Sequence, residues 1–430
     1  MSWQVLVSPR LLISRGKLNF IFTGLERPTE SAPDLRQVFA DFGVHYALNG
    51  FTSWLFAMSA PVAIILAVGS HGGLSENEIA SWIFGVFFVN GLLTVLFCWL
   101  YRQPLIMLWT IPGAVLVGHS LNHLTFPEVV GAYYGTSTLL LLLGATGWVK
   151  RAMLLVPMPI VMGMVAGVFV RFGLNLVQAV FADFPIAGPM VVIWLVLTVS
   201  PRLGRGCPPI IGTLLVGALL TVVLGRFDSS TPLKVELIRP LVETPIWSTA
   251  AMIDLVVPLA ITVLAIQTSQ GIAVLKSAGF EPPIDAITMA CGIGSAASAL
   301  VGGISTCLTG PANAIIVASG ERKRQYTSGI LVGLLAILFG LLAPTFTRLL
   351  LLAPKSLVTV LAGLAMLRVL QTAFVTAFKE RFSLGALVAF LVTVADVPLL
   401  NVGAAFWGLV FGIAISWLLE RADFAANDRS

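Results

Sequence analysis

Apolar runs of about 20 residues, the length that spans a bilayer core as a helix, recur along the whole chain and are continuous rather than alternating. In hydrocarbon only helices and closed barrels satisfy every backbone polar group, and a barrel requires alternating strands. The pattern therefore predicts helical segments near 39–68, 78–100, 106–121, 128–147, 153–181, 189–200, 208–225, 250–275, 283–301, 303–319, 327–346, 354–377, 384–396 and 401–419, fourteen in all. Pro and Gly interrupt 106–121 and 303–319 too often for plain helices, and 189–200 and 384–396 are short for a crossing. Composition agrees: 57% of residues are hydrophobic and 10% charged, far from the balance of a soluble domain.

Charge orients the segments. An even number of crossings puts both ends on one side. The segments then assigned to the cytoplasm hold 18 basic residues, among them Arg10, Arg15, Lys17, Arg27 and Arg36 of the leading tail, Lys150, Arg151, Arg202, Arg205 and Arg324. The outer segments hold five, Arg226, Lys234, Arg239, Arg348 and Lys355. By the positive-inside rule both termini are expected in the cytoplasm of a bacterial inner membrane. Met1–Val38 lacks a charged start followed by a long apolar core, so no cleaved signal peptide is expected. Cys98, Cys207, Cys291 and Cys307 have no paired spacing and read as small helix residues.

An internal repeat organises the chain. Arg151-Ala-Met-Leu-Leu-Val-Pro157 matches Arg348-Leu-Leu-Leu-Leu-Ala-Pro354, with Arg171 and Arg368 fourteen residues after each Pro. Pro112 matches Pro311, with Ser120 and Ser319 eight residues later. Seven spans per copy is an odd number, so the second copy enters the membrane from the opposite side, giving an all-α polytopic protein built as a 7+7 inverted-topology repeat. The expected divisions are a cytoplasmic tail 1–38, a first repeat 39–225, an outer linker 226–249, a second repeat 250–420 and a cytoplasmic tail 421–430. Arg171 and Arg368, inside spans, are expected to anchor near the two interfaces.

The third and tenth segments each read as a short extended stretch leading into a half-helix, with Pro112 and Pro311 suited to the first helical turn. Two such tips near the midplane offer unpaired N–H groups and positive dipole ends to an anion. A simple Pro kink in a packed helix is the competing reading.

At these residues the chain resembles the BenE-type benzoate:proton symporters, whose fold is similar to that of the uracil and SulP anion transporters. Tyr101-Arg-Gln-Pro104 with Trp109-Thr-Ile-Pro-Gly-Ala114, Met164 to Leu174, Gln267 with Gly271-Ile-Ala-Val-Leu-Lys276, Gly279-Phe-Glu-Pro-Pro283 and Asn401-Val-Gly-Ala-Ala-Phe-Trp-Gly-Leu409 carry the resemblance. The chain departs from the family pattern at Gln267-Thr268 and over Val301 to Asn313. The resemblance implies a secondary transporter of a small organic anion, benzoate or a related aromatic carboxylate, coupled to protons by alternating access.

Expected substrate contacts are Asn49, Thr52 and Ser53 in the first span, Trp109, Thr110 and Gly113 at the third, Gln267, Ser269 and Gln270 in the eighth, and Thr309, Ala312 and Asn313 at the tenth. Trp109 and Phe51 are candidates for an apolar wall. Each polar residue has a packing alternative, because Ser, Thr, Asn and Gln also join membrane helices. His45 and Asp254 are the candidate proton carriers, although the substrate's own carboxyl also suffices. His119 and His123 are four apart, but Ser-Leu-Asn between them lacks the Glu of the metalloprotease pattern, so solvated loop residues are favoured over a metal site. An anion channel or exchanger on the same fold stays open as an alternative, and a membrane-embedded enzyme is the more distant one. No cofactor, metal or nucleic acid is expected; the anion, protons and the lipid bilayer are the expected partners, and a homodimer is admissible.

Overall fold

The structure, a computed structural model, describes residues 26–28, 30–58, 60–149, 157–200, 207, 209–226, 235–317, 320–379, 381–397, 399 and 403–427. Arg10, Arg15, Lys17, Lys150, Arg151, Arg202, Arg205, Lys234, Ser319 and Asn401, used above, lie outside the described residues.

The predicted segments fall on helices, with short strands before two of them. In chain order these are α1 (Val44–His71), α2 (Glu76–Tyr101), β1 (Met107–Trp109) with α3 (Ile111–Ser120), α4 (Phe126–Thr146), α5 (Met158–Ala182), α6 (Phe184–Val199), α7 (Pro209–Val223), α8 (Thr249–Ser277), α9 (Ile284–Ala299), β2 (Thr306–Leu308) with α10 (Gly310–Val317), α11 (Arg322–Leu341), α12 (Lys355–Ala377), α13 (Ser383–Ala395) and α14 (Ala404–Leu419). Among the described residues α1, α2, α4, α5, α8, α11 and α12 are long and apolar enough to cross a membrane by length and composition. The first span begins later than the pattern suggested. Leu35–Asp41 forms its own short helix, capped by Asp34 and broken at Phe42, whose ψ of 143° is extended.

Local chemistry sets the ends. Ser75 and Glu78 form a capping box at α2, and Thr125 and Glu128 form another at α4, so orphan N–H groups are satisfied where the chain re-enters the apolar layer. Gly147, at φ 68°, ends α4 in the left-handed conformation. Two helices are locally unwound into π turns, α2 at Gly85–Val89 and α8 at Met252–Val256 and Thr262–Thr268.

Packing follows a two-fold pattern. The α4 helix packs on α9 as α11 packs on α2, α6 packs on α7 as α13 packs on α14, and α5 packs on α12 between them. Small residues permit the closest approach: a Cβ on Gly91 would fall 2.7 Å from Gly333 O, and a Cβ on Gly333 2.7 Å from Gly91 O. Helices α1–α4 and α8–α11 form one group, while α5–α7 and α12–α14 form a second. They meet where α12 packs on α1, α5 on α3 and α14 on α8.

The repeats run in opposite directions, which the β strands record directly. β1 pairs antiparallel with β2, Met107 opposite Leu308, Leu108 opposite Cys307 and Trp109 opposite Thr306.

Candidate functional site

The two-stranded ribbon lies inside the first group, with both strands fully buried. Backbone there has no water to bond, so its outward groups must find side chains. They do. Met107 N–H donates to Thr94 Oγ1 at 2.9 Å, Thr306 N–H to Ser295 Oγ at 3.0 Å and Leu308 N–H to Thr268 Oγ1 at 3.4 Å. The ladder continues past the strands, Thr110 N–H to Ser305 O at 3.1 Å and Thr309 N–H to Ile106 O at 3.1 Å. A half-helix then leaves each end, α3 after Thr110 and α10 after Thr309. Each start is tied by a hydroxyl to the first helix of the other repeat: Thr110 to Thr262 of α8, and Ala312 O to Ser53 of α1.

The tips nevertheless differ. At α3 the donors form a closed chain: Gly113 N–H donates to Thr110 Oγ1 at 3.2 Å, Thr110 to Thr262 Oγ1 at 3.0 Å, and Thr262 to Leu259 O at 2.8 Å. A Cβ on Gly113 would meet Leu259 Cδ2 at 2.9 Å and Thr262 Oγ1 at 3.1 Å, so this tip is packed against α8. At α10 the N–H groups of Gly310 and Ala312 have no acceptor among the described residues, and the Thr309 hydroxyl makes no hydrogen bond. Gln270, which is exposed, lies over this tip: a Cβ on Gly310 would fall 2.5 Å from its Cγ and 2.8 Å from its Oε1. Gln267, on the π turn of α8, is buried, and its amide has no hydrogen bond among the described residues.

Other expected contacts are committed to structure. Asn313 ties α10 to β1, donating to Thr309 O at 2.6 Å and accepting from Ile106 N–H at 3.3 Å. Ser269 turns back on the carbonyls of Ala265 and Ile266. Trp109 packs in the core with its ring 4.6 Å from that of Phe87, and its Nε1 has no partner. Asn49 and Thr52 are half-buried on α1, while Phe51 is exposed. His45 is exposed at the start of α1 beside Tyr46, at the end of the bundle away from the α1–α2 turn.

A cluster that joins both helix groups carries no local signal in the chain. Asp254 of α8 is buried, and its carboxylate accepts from Ser120 Oγ at 2.7 Å, from Gly403 N–H of the turn before α14 at 2.7 Å and lies 3.2 Å from His123 Nε2. His123 is thus a half-buried polar partner of Asp254 rather than a solvated loop residue. Arg171 pairs with Asp396 at 3.0 Å, bridging α5 to the end of α13, and Arg368 bonds Gln371 one turn on.

Comparison with known proteins agrees with this arrangement. A family model described as BenE, Benzoate membrane transport protein, matches residues 40–418. The chain is 29% identical over 370 residues to "Inner membrane protein YdcO" of Escherichia coli, covering 85% of this chain and 93% of that one. It is 27% identical over 392 residues to "Benzoate membrane transport protein" of Acinetobacter baylyi, covering 90% and 98%. Among solved structures, the transmembrane domain of a cyanobacterial bicarbonate transporter, BicA, superposes with a TM-score of 0.57 at 14% identity over 89% of this chain and 99% of that one. Murine Slc26a9, an anion transporter in the inward-facing state, superposes with a TM-score of 0.59 at 14% identity over 96% and 76%. The solved structures establish the inverted-repeat fold, and with the match over nearly the whole membrane region this chain belongs to the BenE family of membrane transport proteins.

Proposed function

We propose that the chain imports a small aromatic carboxylate of the benzoate class by proton symport, and that the carboxylate rests on the α10 tip. The open tip carries this reading: two backbone N–H groups and the Thr309 hydroxyl, without partners among the described residues, lie beneath the Gln270 side chain where the half-helix dipole is positive, with Gln267 buried one turn back on α8. Unpaired donors in a low-dielectric interior are costly, and an anion that accepts from them offsets that cost. The Acinetobacter relative, a benzoate membrane transport protein, supports the choice of benzoate. Alternating access follows as motion of α5–α7 and α12–α14 against α1–α4 and α8–α11, with both termini in the cytoplasm.

Labelled benzoate uptake into proteoliposomes tests this. An inward proton gradient should drive accumulation that a protonophore abolishes. Uptake that ignores the protonophore but requires anion inside would make the protein an exchanger, and absence of saturable benzoate uptake would remove benzoate as substrate.

A further inference from the structure

A cavity of about 730 Å³ opens between the two helix groups, at the end of the bundle that the basic residues assign to the outside. Its wall is made by the ends of α1 and α3, the middle of α5 and the start of α12. It runs along α3 to Val115, about 7 Å beyond Thr110 at 1.5 Å per residue. Every titratable group on its wall is basic: His71, His119, Arg171 and Lys355. The nearby acids are already engaged, Asp396 by Arg171, Asp254 by Ser120, His123 and Gly403, Asp183 by Arg226 and Ser356, and Glu76 by Arg348. Lys355 has no carboxylate partner among the described residues. Apolar side chains such as Val115, Phe172 and Val358 complete the wall, and the volume falls in the range of small-molecule sites.

His119 is held in one tautomer. Its Nδ1 lies 3.0 Å from Val115 O, and a carbonyl only accepts, so Nδ1 carries the hydrogen. Its Nε2 is buried with no hydrogen-bond partner among the described residues. The elements packed on α3 bring His71 from α1, Arg171 from α5 and Asp254 from α8.

We propose that this cavity is a second carboxylate site, at which the anion is captured together with one proton on the His119–carboxylate pair. The inference rests on the carboxylate reading above. A carboxylate cannot bond the bare Nε2 lone pair unless a proton lies between them. Either imidazolium donates to carboxylate or carboxylic acid donates to imidazole, and each form is the sum of neutral His119, the anion and one proton from the outer solvent. Lys355 and Arg171 supply the field that draws the anion in, and the apolar wall receives its hydrocarbon body.

Calorimetric titration of the full-length protein with benzoate, in buffers of different ionisation enthalpy, counts the protons taken up. The wild type should take up about one per benzoate, with affinity rising as pH falls by up to about tenfold per pH unit. In His119→Gln the count should fall to about zero and the pH dependence should flatten; His119→Asn serves if that variant does not fold. Lys355→Gln should lose affinity several-fold at low salt, converge on the wild type at high salt, and keep the proton count. Binding without proton uptake by the wild type, an unchanged count in His119→Gln, or loss of the count in His45→Gln or His71→Gln instead, overturns the assignment and leaves the transport reading standing. Absence of any benzoate binding by the wild type overturns both.

Discussion

The two half-helices start from related sequences, Thr110-Ile-Pro-Gly113 and Thr309-Gly-Pro-Ala312, at equivalent places in opposed repeats. Their tips have different surroundings. In α3 the tip hydroxyl is bonded on both sides, the tip glycine is wedged against Leu259 and Thr262, and the far end is clamped by Asp254 through Ser120. In α10 the corresponding hydroxyl and two N–H groups are left without partners, beneath a glutamine that nothing holds. The repeat gives two equivalent dipole ends, one of which is packed against α8 while the other is open. A membrane interior makes the distinction sharp, because an unbonded donor there is costly unless something binds it.

The contrast can be broken most forcefully at the clamp. Asp254→Ala strands His123, the Ser120 hydroxyl and Gly403 N–H, and should destabilise the detergent-solubilised protein by about 2–4 kcal/mol in chemical unfolding, as loss of the shared acceptor of several buried polar groups does. A loss below about 1 kcal/mol would mean that the cluster is hydrated and not a clamp.

Next come the tip glycines, for which opposite phenotypes are expected. Gly113→Val presses on Leu259 and Thr262 and should cost about 1–3 kcal/mol of stability, with benzoate affinity of the folded protein retained. Gly310→Val meets the flexible Gln270 side chain first, so melting temperature should stay close to wild type while the share of benzoate stabilisation supplied by the α10 tip is lost and only that of the outer cavity remains. Equal effects of the two changes would erase the asymmetry.

Removing the hydroxyls gives a finer comparison. Thr110→Val breaks a two-bond relay and should cost about 1–2 kcal/mol of stability without touching affinity. Thr309→Val breaks no bond in the free protein and should weaken benzoate by about tenfold, equivalent to about 1.4 kcal/mol. The smallest effect is expected for Ser53→Ala, about 0.5–1.5 kcal/mol in stability, since it removes one bond to Ala312 O.

Much of this fold was legible because membrane helices are specified by local composition. The apolar stretches fell on helices, seven of them long and apolar enough to cross a membrane among the described residues, and Pro112 and Pro311 marked both half-helices, since Pro fits a first turn and not a helix interior. The opposed direction of the repeats followed from an odd span count and agrees with the antiparallel ribbon. What stayed hidden depends on partners far away in sequence. Nothing local says that Ser269 bonds its own helix, that Asn313 reaches back to Ile106, or that Trp109 packs on Phe87. Asp254 was picked out as an acid near a span, but its partners at 120, 123 and 403 come together only through helix packing. The π turns of α8, which carry Gln267 and Thr262, leave no mark in the hydrophobic pattern.

Density for 4-iodobenzoate bound to the protein in lipid discs would decide between the two tips. The iodine fixes the orientation of the ring, so the carboxylate position follows directly. The carboxylate should lie within hydrogen-bond distance of Gly310 and Ala312 N–H, with the Gln267 amide or the Thr309 hydroxyl as a further donor. A carboxylate seated at Ile111 on the α3 tip, or a ligand in contact with neither half-helix, would contradict the division of labour between the repeats.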